Sequence, residues 1–176
     1  MPSALSWPGP GLVLLAPGGV QPPCAARLAP QLGLRPLAWA VGAADDPAIT
    51  LAALAQEPSG WLLPLPLDPG ADLAVPGCWA DALAAWRQPV LLLLPASAAI
   101  AGLPRAYRAL LELAGVPLLG LVQVGLPWSP EQRRGDGLPW LGCLPLDGGM
   151  EDPAAVDPAL PLLIRRRWAA LQGVQA

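Results

Sequence analysis

The sequence predicts an α/β fold, a mainly parallel sheet with helices on both faces, and three observations predict it. Short apolar runs alternate with Ala/Leu-rich segments along the chain. The best of these runs, such as residues 90–94 (VLLLL), are apolar at every position rather than at every second one. Helix-start signals fall between the runs. A strand that is apolar on both faces needs cover on both, and in a parallel sheet the crossover helices supply it. The 176 residues suit a single α/β domain over 1–176. A domain of that size buries about 70% of the surface its unfolded chain exposes, so it needs neither disulfides nor a metal to fold.

Residues 11–16 (GLVLLA) read as a buried strand, followed by Pro-Gly-Gly. Residues 22–32 read as a weak helix broken at Pro30, and residues 37–41 as the second strand. Asp46-Pro47 is a good helix start, because Asp caps free amides and Pro is favoured at the first helical position. The helix then covers residues 48–57. Residues 61–67 are extended but contain Pro64 and Pro66, which predicts an edge strand or a strand running into a loop. Residues 79–86 read as a helix, 90–94 as the central strand, 105–113 as a helix ended by Gly115, and 118–124 as another buried strand. Ser129 with Gln132 three residues later is a capping-box pattern. Residues 140–144 form the last strand, and Asp157-Pro158 opens a helix to about Gln172.

The composition excludes several chemistries. Apolar residues make up 54% of the chain and charged residues only 13%. There is no His, Lys, Asn or Phe, and all ten basic residues are Arg. Without His there is no Ser-His-Asp triad, Cys-His pair or imidazole metal ligand. Without Lys there is no Schiff base and no ammonium to grip a phosphate. A net charge of −3 argues against nucleic acid as a partner, since phosphate binding wants a basic face. The one basic run, Arg165, Arg166 and Arg167, reads as the solvated face of the last helix. Cys24, Cys78 and Cys143 are far apart and odd in number, which predicts buried free thiols in a reducing cytoplasm. Mean hydropathy is +0.47, but prolines interrupt the richest apolar stretches before they reach a membrane span. No metal is expected.

Four stretches together resemble one family. Residues 33–35 (GLR) lead into the second strand. Residues 56–65 (QEPSGWLLPL) are similar to an acidic, glycine-rich loop of the type Glu-Gly-Ala-Gly-Gly ending in Pro-Leu. Residues 79–94 resemble a helix followed by a strand. Residues 115–121 and 141–145 (LGCLP) resemble later strands. In this order and spacing, over about residues 33–147, the chain resembles dethiobiotin synthetase and its relatives among the ATP-dependent ligases of cofactor synthesis. The resemblance implies a P-loop NTPase-like fold, ATP and magnesium as cofactors, and a dimer with the site near its interface.

The chain departs from that family where the chemistry sits. A P-loop cradles phosphates with backbone amides while a Lys neutralises them and a hydroxyl reaches magnesium. Here the first strand leads into Pro17-Gly18-Gly19-Val20-Gln21-Pro22-Pro23-Cys24, whose three prolines remove three amide donors. The second-strand lysine falls near Ala40-Val41, the Asn-His pair at Ala101-Gly102 and the base-reading Asn near Val124-Gly125. None is present. Arg27 lies beyond the position of the loop lysine. What is left of a ligand site is Gly18 and Gly19 at the first turn, with Glu57 and Gly60 in the acidic loop.

Phosphoryl transfer works mainly by neutralising spread negative charge, and these losses point away from catalysis. The expected function is therefore a non-catalytic scaffold or binding protein that has lost ATP chemistry and needs no cofactor, pairing with itself or with a related subunit. A divergent ATP-dependent ligase of biotin synthesis and a small assembly subunit are the alternatives.

Overall fold

The protein is described by a computed structural model, which covers residues 10–18, 23–42, 44–73, 75–100, 102–145 and 157–173. Six strands form one all-parallel sheet: β1 (Gly11–Leu15), β2 (Arg35–Pro36), β3 (Trp61–Leu65), β4 (Val90–Pro95), β5 (Leu118–Val124) and β6 (Trp140–Leu144), in the order β2-β3-β1-β4-β5-β6. The helices among the described residues are α1 (Pro23–Leu32), α2 (Pro47–Leu54), α3 (Trp79–Ala85), α4 (Ala96–Ile100), α5 (Leu103–Ala114), α6 (Pro130–Gly135) and α7 (Ala159–Gly173). None is long and apolar enough to cross a membrane.

The all-apolar strands do what their composition predicts. Along β1, Leu12 and Leu14 enter one core with α1 and α7, while Val13 and Leu15 enter a second with α2, α3 and α5. β4 alternates in the same way, Leu91 and Leu93 against Leu92 and Leu94. Each such leucine stabilises the fold by about 2 kcal/mol relative to exposure. Gly11 opens β1 for a packing reason: the Trp61 ring of the neighbouring strand occupies the space where a Cβ would go.

Several boundaries differ from the sequence-based expectation. The second strand is Arg35–Pro36 rather than residues 37–41. Arg35 and Leu37 donate to the carbonyls of Gly60 and Leu62. The next bond of this ladder would need an N–H at Pro64, which has none, so pairing stops and the chain leaves the sheet. β3 is therefore not the edge strand of the first expectation but the strand running into a loop of the second, ending at Leu65, and it tolerates this proline. Its missing donor faces β2 just where β2 has already ended.

α2 stops at Leu54, three residues early: Pro58 has no N–H for the Leu54 carbonyl, and the chain tightens instead, Gln56 and Glu57 donating to the carbonyls of Ala53 and Leu54. α1 runs on through Pro30 instead of breaking there. Its last turn closes by Gly33 N–H to the Pro30 carbonyl and Leu34 N–H to the Ala29 carbonyl, with Gly33 at φ +66°. This is the Schellman arrangement that glycine makes accessible. α4 has no counterpart in the sequence-based assignment.

Candidate functional site

In open parallel sheets, ligands bind beyond the carboxyl ends of the strands, where neighbouring connections leave to opposite faces. β1 is such a place. Its following helix, α1, packs in the core with α7, whereas α3 and α5, which follow β3 and β4, pack in the other. β1 lies between β3 and β4.

The residues singled out from the sequence do not come together around that point. Gly18 follows β1 at the carboxyl end, exposed, with φ +91°. Gly19 lies outside the described residues. Gly60 lies at the opposite end of the sheet, its N–H bonded to the Pro10 carbonyl just before β1 starts. The length of β1, about 16 Å at 3.3 Å per residue, separates the two glycines. Glu57 is also at the amino end, where its carboxylate pairs with Arg35 at 2.8 Å on the surface.

The described groups near the carboxyl end of β1 offer little to an anion. Pro17 is buried and Gly18 has no side chain. Arg27, on α1, donates instead to the carbonyl of Pro145 after β6, at 2.8 Å, and its Nε is buried without a partner. Beyond β3, Asp68 accepts from the Tyr107 hydroxyl at 3.1 Å and from the Gly70 amide at 2.9 Å. Burial raises the Tyr107 pKa, and the Asp68 charge and hydrogen bond raise it further. Among the described residues, acidic and neutral groups dominate here.

A second place, not singled out from the sequence, holds the one buried charged side chain among the described residues. Arg133 of α6 is 8% exposed. Its Nε and Nη2 both donate to the Gln123 side-chain oxygen, at 3.2 and 2.8 Å, and its Nη1 donates to the Ala99 carbonyl at 2.9 Å. Gln123, on β5 and fully buried, passes its amide hydrogens to the carbonyls of Gly125 and Pro127. The guanidinium lies 4.8 Å from the centroid of the Trp140 ring, and Trp128 meets Trp140 edge to face at 6.2 Å.

The nearest carboxylate, Asp136, stays 3.8 Å from Arg133 Nη1. Its oxygens are taken by the Leu138 amide and the Trp140 indole N–H, both at 2.9 Å. The cluster pins α4 and α6 onto the end of β5. Sequence reasoning missed it because a buried Arg in a six-residue helix looks like any surface Arg. The faint signal was Gln123, the single polar residue in an otherwise apolar strand.

Cys143 of β6 is buried, donates weakly to the Gly125 carbonyl at 3.3 Å and has its pKa pushed up to about 11 by burial. Cys78 is also a free thiol but only half-buried, its Sγ 3.3 Å from Asp81. Cys24 has no described side chain. Among the described residues no group of His, Cys, Asp and Glu is placed to hold a metal ion. No protein-family model, curated protein or solved structure matches this chain significantly.

Proposed function

We propose that this protein is a non-catalytic binding protein on a dethiobiotin-synthetase-like scaffold that no longer performs ATP chemistry. One observation carries the proposal. At the carboxyl end of β1, where a parallel sheet offers a nucleotide site, the nearby arginine of α1 is turned to the Pro145 carbonyl, and the whole chain contains no lysine. A triphosphate in transfer needs several cations or a supported metal. Arg35, which pairs with Glu57 at the other end of the sheet, is too far away to help.

Isothermal titration of the full chain with Mg-ATP tests this directly. No saturable heat is expected up to about 1 mM nucleotide, a free energy of only about 4 kcal/mol. Micromolar binding ends the proposal, and ATP-dependent carboxylation of diaminopelargonic acid by the same preparation would replace it with the ligase.

A further inference from the structure

The Arg133 cluster borders a cavity of about 240 Å³ between α6 and the start of β6. Trp128, Leu138 and Trp140 supply its apolar walls, and Arg133, Arg134 and Asp157 its charge. We propose that this cavity binds a small organic monoanion: a carboxylate on a flat, unsaturated body.

Charge argues for the carboxylate. Arg133 is a buried cation held by neutral acceptors, an amide oxygen and a backbone carbonyl, with its closest carboxylate at 3.8 Å. A buried charge is normally matched by a close counter-ion, and this one is under-matched. Each terminal nitrogen of a guanidinium carries two hydrogens. Nη1 and Nη2 each spend one on the partners named and each keeps one. Arg134, exposed and without a hydrogen bond or ion pair among the described residues, adds a second cation to the same wall. Against these two stands Asp157, one of whose oxygens already accepts from the Ala159 amide. Among the described residues the lining carries two guanidiniums and one carboxylate, with Asp136 3.8 Å from Arg133 just outside it, which suits a monoanion better than a phosphate dianion.

Shape and lining argue for the rest of the ligand. The volume is below the roughly 300–1,000 Å³ of clefts that hold drug-sized molecules. Two indoles and a leucine suit a planar apolar body, and aromatic faces and edges pair well with another ring. The site lies on the β5–β6 side of the sheet, away from the β1 turn, so it goes beyond the loss of ATP chemistry and is tested separately from it.

The test uses the full chain, benzoate as probe and benzamide as its uncharged isostere, with affinities from ligand-observed NMR and calorimetry. Benzoate is expected to bind in the submillimolar range and benzamide at least about tenfold more weakly, the loss of one charge-assisted contact. Arg134→Gln removes a cation without touching any bond of the fold. It is expected to weaken benzoate about threefold, leave benzamide unchanged and leave Tm unchanged. Trp128→Phe is expected to weaken both probes alike. Equal binding of benzoate and benzamide, an unchanged benzoate affinity in Arg134→Gln, or no binding of benzoate below about 5 mM overturns the proposal, whatever the Mg-ATP titration gives.

Discussion

At the β1 end of the sheet the chain has the geometry of a ligand site without its charge. A strand ends where neighbouring connections diverge, and a positive-φ glycine follows, yet the nearby cation points elsewhere. At the β5–β6 end the arrangement is reversed. A guanidinium is buried between a strand, two short helices and the Trp140 indole, although no glycine-rich motif marks the place. The comparison teaches that a turn's position in the topology and the charge that would use it are separable. The first follows from strand order. The second depends on which side chains packing brings in and holds.

The comparison predicts that the two ends respond very differently to substitution. The largest effect belongs to Arg133→Leu, which leaves the Gln123 side-chain oxygen and the Ala99 carbonyl buried without donors. A loss of about 3 kcal/mol is expected from two such orphaned acceptors, read from the midpoint of urea unfolding. A change below about 1 kcal/mol would mean that the cluster holds nothing in place.

The next effect is chemical. Burial moves the Cys143 pKa from 9.0 up to about 11, so at pH 8 it holds about a hundredfold less thiolate than an ordinary thiol. Peptide mapping after iodoacetamide treatment at that pH should find Cys78 labelled and Cys143 unlabelled until the protein is unfolded. The neutral thiol is the favoured folded form. Its stabilisation is therefore complete below the ordinary thiol pKa and is lost as pH rises through about 11. Rapid labelling of native Cys143 would mean that this flank opens readily.

The smallest effect belongs to the β1 turn. A Cβ on Gly18 would meet no atom of the described residues within 4 Å, so the expected cost of Gly18→Ala is that of its positive φ, about 1 kcal/mol. A loss as large as that of Arg133→Leu would show that the turn is packed against something, and would erase the contrast between the two ends.

The strands were legible in the sequence because their signal is local. Residues 90–94 are apolar throughout and residues 118–124 are so but for Gln123, and only a position covered on both faces tolerates that. Caps were legible for the same reason: Asp46 accepts from the Ala48 amide, Ser129 accepts from the Gln132 amide, and Gly115 closes α5 in the left-handed conformation. The second strand was not, because its end is set by Pro64, a residue on another strand. The assembly of the candidate ligand residues was not legible either. A stretch such as residues 56–60 reads as a loop whichever end of the sheet it occupies, and only the register of β3 against β1 places it at the amino end.

By itself, then, the order of residues determined a parallel sheet between two helical layers, because burial on both faces of a strand is written into composition at each position. It also determined the absence of lysine and histidine chemistry, which needs no folding to be true. Packing alone decided that Glu57 would neutralise Arg35 at the far end of β1, and that Arg133 would enter the interior beside Gln123 and Trp140. Those outcomes depend on contacts between residues 7 to 22 positions apart, whose geometry exists only once the sheet has closed.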